Sequence, residues 1–500
     1  MTLNDLTGRV TAAQDRHRDH RWLALAVIGV AQLMIILDAS IVNIALPHAQ
    51  ADLGISNANR QWVLTTYTLA FGGLLLLGGR VADYFGRKRT FIVGLLGFAA
   101  ASALGGAAQS AGQLFGARAL QGVFAAVLAP AVLSLITTTF TESHERARAF
   151  AVYGAISGTG AAIGLIAGGA LTEYASWRWT LLVNAPIAIL VALAAIPLLR
   201  ESRAEGDRRY DLPGALIATG GLVSLVYGFT NASTHSWTAP LTLVLIALAV
   251  VLLAVFVAWE QRAENPLLPL RIVLDRNRGG SFLAFLLATL AMFSVFLFLS
   301  YYFQGVLGYS PLKAGFAFLP FPLGVITSAT IASQLLPRFG PRPLALTGFA
   351  MGTVGILWLT QLAPDSSYAL HIVPSLLIIS LGMGQVFVPL SSTALLGVPN
   401  HDAGVASALV NTMQQIGGSL GIAFLNTVAT SASASYVRGH GGVGSPAAVT
   451  HGFTTAFAYG AGFFAIATVV VALLIRAGRD DVASAMPAGN DDALELAYAV

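Results

Sequence analysis

The chain of 500 residues is 56% hydrophobic and only 10% charged, whereas a soluble globular domain is about 25% charged, so a water-soluble fold is excluded. It contains no cysteine, which removes disulfides, thiolate metal sites and cysteine nucleophiles. The formal net charge of +4 comes from basic residues scattered over short connections, which points away from nucleic acid as a partner.

Many apolar runs exceed the ~20 residues a helix needs to cross a bilayer. The alternating segments of a membrane barrel are not evident. The first 21 residues are polar and Arg-containing. The apolar run after them is too long for a signal peptide and has no small-x-small cleavage site, so it reads as a retained first span. In chain order the runs predict fourteen membrane helices, at 22–46, 60–82, 89–110, 113–138, 149–171, 178–199, 212–231, 239–259, 279–303, 312–336, 342–361, 370–393, 403–428 and 453–476. With the N-terminus in the cytoplasm, all but five of the 27 basic residues fall on cytoplasmic segments. Arg60, Arg178, Lys313 and Arg438 fall outside, and Arg118 alone lies within a span. The positive-inside rule therefore predicts both termini in the cytoplasm of a multi-pass plasma (inner) membrane protein.

The chain reads as two related halves. Phe85-Gly86-Arg87-Lys88 after span two resembles Phe339-Gly340-Pro341-Arg342 after span ten. The expected organisation is a tail at 1–21, a six-helix bundle at 22–199, a linker with two extra spans at 200–278, a second six-helix bundle at 279–476 and a disordered tail at 477–500. Repeats of this kind mark secondary transporters, with the substrate site between the halves.

Several motifs carry a family resemblance. Gly79-Arg80-Val81-Ala82-Asp83-Tyr84-Phe85-Gly86-Arg87-Lys88-Arg89 resembles the major facilitator loop between spans two and three. Gly79 and Gly86 suit a tight gating turn, Asp83 suits a neighbouring helix N-terminus, and Arg87 and Lys88 suit acids or lipid phosphates. Arg118-Ala119-Leu120-Gln121-Gly122 resembles the span-four signature. Gly160, Gly164, Gly168 and Gly169 resemble the antiporter glycine helix of span five, with Leu165 where the family has proline. The run Leu37-Asp38-x-Ser40-x-Val42-Asn43-x-Ala45-Leu46-Pro47, with Ser176-Trp177-Arg178-Trp179 and Asn184-x-Pro186, is similar to the fourteen-span drug:proton antiporters. The resemblance covers roughly residues 20–478. It implies an all-α major facilitator fold and proton-driven efflux of amphipathic, often cationic compounds, with protons and membrane lipids as the other partners and no cofactor.

Asp38 is the acid deep inside the first span, where a carboxylate costs at least ~2.5–3.5 kcal/mol unless it is protonated, paired or wet. It lies eight residues before Leu46, ~12 Å below the outer face. Arg118 lies five residues after Gln113, ~7–8 Å below it. Similar depth predicts that they share one polar network, with proton and substrate occupying Asp38 in turn. A structural tie through Asn43 and nearby amides is the other reading of Asp38.

Gln32, Asn43, Gln121 and Gln385 are cavity candidates, and Phe293 and Phe296 could stack on a hydrophobic cation. Tyr301 and Tyr302 could stack on such a cation too, or form an interfacial aromatic belt. Asn411, Gln414 and Gln415 share one face of span thirteen as interhelical ties or ligands. Glu173 is either a second acidic site or a solvated charge. Neither lysine follows a glycine, which excludes a phosphate loop. The deep spans lack metal-ligand spacing, so an enzyme is disfavoured. Export of a lipid or endogenous metabolite, and a non-transporting sensor, remain the alternatives.

Overall fold

The computed structural model describes residues 3–140, 142–203, 211–264, 266–399, 402–440 and 445–481. The expected tail lies outside these residues from 482 onward. Among the described residues there is no strand. The long helices are α1 Leu3–Asp52, α2 Trp62–Phe85, α3 Arg87–Gly106, α4 Ala111–Thr139, α5 Ser143–Tyr174, α6 Trp179–Leu198, α7 Leu212–Thr234 and α8 Pro240–Glu260. They continue as α9 Arg276–Val306, α10 Pro311–Phe339, α11 Pro341–Leu359, α12 Tyr368–Leu395, α13 Ala403–His440 and α14 Pro446–Leu474.

Thirteen of these are long and apolar enough to cross a bilayer. The other, α13, contains the expected span 403–428. Gln414, Gln415 and Asn426 dilute its apolar content. The expected boundaries differ where hydropathy and helix propensity part company. α1 begins at Leu3 rather than near Trp22, because no proline separates the polar segment from the apolar one. α13 likewise continues past 428 to His440.

The internal repeat is visible in the packing. In the first half α1 packs on α5 and α6, α4 on α2 and α3, and α3 on α6. In the second half α9 packs on α13 and α14, α12 on α10 and α11, and α11 on α14. Position by position this is the same pairing. The halves meet through α2 against α13 and α5 against α10, and the α7–α8 hairpin lies outside against α2 and α13. The two Phe-Gly connections are also equivalent. Gly86 (φ 117°) and Gly340 (φ 78°) each turn one helix directly into the next in a conformation that disfavours a side chain.

Small residues let α5 approach α1 closely. A Cβ on Gly164 would meet Leu37 Cα at 3.3 Å, and one on Gly168 would meet Ile41 O at 2.8 Å and its Cα at 3.1 Å. Gly169 faces the other way, where a Cβ would lie 2.6 Å from Leu312 Cα on α10. One glycine helix thus clamps the Asp38-bearing segment on one side and the second half on the other. Leu165 does not break it. α5 is continuous, and the Leu165 carbonyl lies against Gly315 of α10, 2.4 Å from where a Cβ would sit.

Gly168→Val should lower the thermal midpoint of the purified protein, with an overpacking cost of ~1–3 kcal/mol. Gly154→Ala on the same helix meets open space and should not lower it.

Candidate functional site

Five helices deliver side chains to one buried point. Asp38 comes from α1 and is fully buried. Arg118 and Gln121 come from α4, where a spacing of three places them on one face. The Arg118 Nη1 donates to Asp38 Oδ2 at 2.6 Å. Asp38 Oδ1 accepts from Gln121 Nε2 at 2.9 Å and from Asn184 Nδ2 of α6 at 2.8 Å. Arg118 also donates from Nε to the Val63 carbonyl of α2 at 3.0 Å and from Nη1 to Gln121 Oε1 at 2.8 Å. Its guanidinium lies 4.3 Å from the centre of the Tyr67 ring. Gln121 Nε2 continues the chain to Ser102 Oγ of α3 at 2.7 Å.

Arg118 is 1% exposed and Asp38 0%, so neither charge is hydrated. Opposite charge and directed hydrogen bonds offset the lost water, and removing one partner of such a pair costs about 3–5 kcal/mol. Both carboxylate oxygens are engaged. Asp38 has no exposed surface in this arrangement.

The other candidates lie elsewhere. Gln32 is buried on α1 with its Oε1 unpartnered. Asn43 does not touch Asp38. Its Nδ2 donates to Ala39 O of its own helix at 2.9 Å, and its carbonyl accepts from Ser300 Oγ of the second half at 2.7 Å. Phe293 packs on α13 at Gly418. Phe296 is half-buried and packs on α10, stacked on Phe318 at 5.3 Å and edge-on to Phe321 at 4.9 Å. Gln385 ties α12 to α11. Its Oε1 accepts from Thr347 Oγ1 at 2.8 Å, and its Nε2 is 3.5 Å from Met351 Sδ. Gln415 does face the first half, packing on Gly72 of α2. Asn411 bonds only within its helix, to Ser407 O at 3.4 Å.

Two connections gain structure that sequence reasoning did not assign. At the arginine-rich end Asp83 pairs with Arg87 at 3.0 Å and does not cap a neighbouring helix. The α3 N-terminus is capped by Glu201, whose oxygens accept from Lys88 N and Arg89 N, both at 3.2 Å. The Gly86 turn makes room for it, since a Cβ there would lie 2.6 Å from Glu201 Oε1. Lys88 Nζ donates to Ile196 O of α6 at 2.5 Å. Gly79 packs loosely on Pro130.

At the arginine-poor end the halves are tied together. Buried Arg60 donates from Nε to Asn426 Oδ1 of α13 at 3.0 Å and lies 4.2 Å over the Tyr301 ring. The Tyr301 hydroxyl donates to Gln50, and Asn426 donates to Asn57 O at 3.0 Å. Glu173 Oε2 accepts from Leu312 N at 2.9 Å, which caps α10 from the first half. Tyr302 donates to Ala363 O at 2.5 Å. Neither tyrosine forms a lipid-facing belt.

The sequence pattern of the Major Facilitator Superfamily matches residues 28–422. The chain belongs to the major facilitator superfamily. It is 52% identical over 462 residues to the puromycin resistance protein pur8 of Streptomyces alboniger, covering 91% of each chain. It is 40% identical over 456 residues to the cephamycin export protein CmcT of Amycolatopsis lactamdurans, covering 90% of this chain and 91% of that one. The fold is similar to that of a bacterial homolog of the human lysosomal transporter Spinster in an inward-facing, unoccupied conformation. That structure has a TM-score of 0.66 at 16% identity, with 92% of this chain and 98% of the other covered. Membership makes this a multi-pass membrane transporter and not an enzyme.

Arg118→Ala should destabilise this transporter by about 3–5 kcal/mol, because it strands a buried carboxylate. The pair D38N/R118Q should lose less than the sum of its single variants in a thermal-denaturation cycle.

Proposed function

We propose that this transporter exports amphipathic small molecules of the antibiotic and secondary-metabolite kind, cationic ones included, in exchange for protons. Relatives named for puromycin resistance and cephamycin export support the substrate class. The observation that carries the coupling is Asp38, a fully buried acid whose charge is balanced by one arginine inside a five-helix network. Protonating Asp38 cancels that balance and frees Arg118, so α1, α4 and α6 lose the tie that holds them in this arrangement. The network then has two states, one proton apart. That is what alternating access requires of a coupling site.

The arginine asymmetry supports an orientation with both termini cytoplasmic in the inner membrane. In that frame the Arg60, Tyr301 and Glu173 contacts close the outer end. Inward proton movement supplies ~2.3 kcal/mol per 100 mV for each charge. Arg87 and Lys88 then border the cytoplasmic headgroups, where anionic lipids are the natural neighbours.

The test is efflux from a pump-deficient host, using a compound panel that includes puromycin and a cephamycin. Wild type should lower accumulation of at least one compound, and an uncoupler should abolish the effect. Asp38→Asn should reduce the initial rate on the order of tenfold or more. Uncoupler-sensitive efflux that is unchanged in Asp38→Asn contradicts the coupling role.

A further inference from the structure

The α7–α8 hairpin carries a second buried acid site, at the arginine-rich end and away from Asp38. Asp211 precedes α7 and Glu260 ends α8, and they are 7% and 4% exposed. One oxygen of each is accounted for. Asp211 Oδ1 accepts from Gly214 N at 2.9 Å and from Trp259 Nε1 at 2.8 Å. Glu260 Oε2 accepts from Leu268 N at 2.9 Å. The other two, Asp211 Oδ2 and Glu260 Oε1, have no hydrogen-bond donor. Both lie over Gly214, 2.3 and 2.8 Å from where its Cβ would be, so the two unpartnered oxygens converge on one point.

Two ionised carboxylates are acceptors only, so facing each other in a buried place they repel. One proton resolves this by forming an O–H on either oxygen that donates to the other. Glu260 borders a cavity of ≈610 Å³, although the two unpartnered oxygens are themselves buried. The charged groups on that rim are Arg80 of α2, Glu264, Arg271 and Asp402. Arg271 is held by Asp402, with Nη2 2.7 Å from Oδ2. Arg80 Nη1 is 3.4 Å from the Tyr84 hydroxyl.

We infer that Asp211 and Glu260 form a proton-binding site that holds one proton between Oδ2 and Oε1, independent of whether Asp38 couples export. The site joins the two ends of the extra hairpin. Releasing its proton sets two anions against each other over Gly214 and favours their separation. Arg80, at the start of the signature loop, lies on the same cavity.

The test is infrared difference spectroscopy of the full-length purified protein. At neutral pH the wild type should show the carbonyl stretch of a protonated carboxyl, and Asp38→Asn should retain it. It should vanish in both Asp211→Asn and Glu260→Gln, because an amide there donates to the remaining carboxylate and leaves it ionised. Persistence of the band in either variant overturns the site. Trp259 gives a second readout that leaves both acids in place. The fluorescence difference between wild type and Trp259→Phe should follow a proton-dependent transition, and a pH-independent difference overturns the proposal.

Discussion

The first half holds a carboxylate and a guanidinium, both buried away from solvent, at the meeting point of five helices. Asp38 and Arg118 meet at 2.6 Å out of contact with solvent, and five helices contribute the groups that make this tolerable. A buried ion pair is a weak source of net stability, because desolvation offsets most of its attraction. Its value lies in discreteness. Both carboxylate oxygens and the guanidinium have directed partners in this arrangement, so the pair fixes one packing of the helices that supply them.

The glycine helix turns that local condition into a relation between the halves. Gly164 and Gly168 hold α5 against the segment Leu37–Ile41, and Gly169 holds it against Leu312. α5 therefore links α1 to α10 through close backbone contacts on both of its sides. Glu173 caps α10 from the end of the same helix. Arg60 closes the equivalent contact between α2 and α13, where its guanidinium is shared by Asn426 and Tyr301.

Much of this was legible from residue order, for identifiable reasons. Apolar runs reveal spans because a membrane helix has to satisfy its own backbone. Asp38 and Arg118 were visible because charges in such runs are rare, and helix rise alone put them at similar depth. Asn184 was visible as part of Asn184-x-Pro186, but a neutral amide carries no depth penalty to mark its role. Gln385 and Phe296 were named as cavity residues from helix identity, whereas helix face decides what a side chain meets. Both lie on suitable helices and turn toward α11 and α10. The capping roles of Glu201 and Glu173 were hidden because a capping partner far away in sequence leaves no local pattern. The boundaries of α1 and α13 were misplaced because hydropathy reports the bilayer and not the end of the helix.

Proton release from purified protein tests the coupling claim most directly. An exported compound is added to wild type and to Asp38→Asn in weakly buffered solution while pH is recorded. Release of protons by wild type on binding, absent in Asp38→Asn, is the expected result. Equal release by both proteins, or binding by wild type without release, would contradict it.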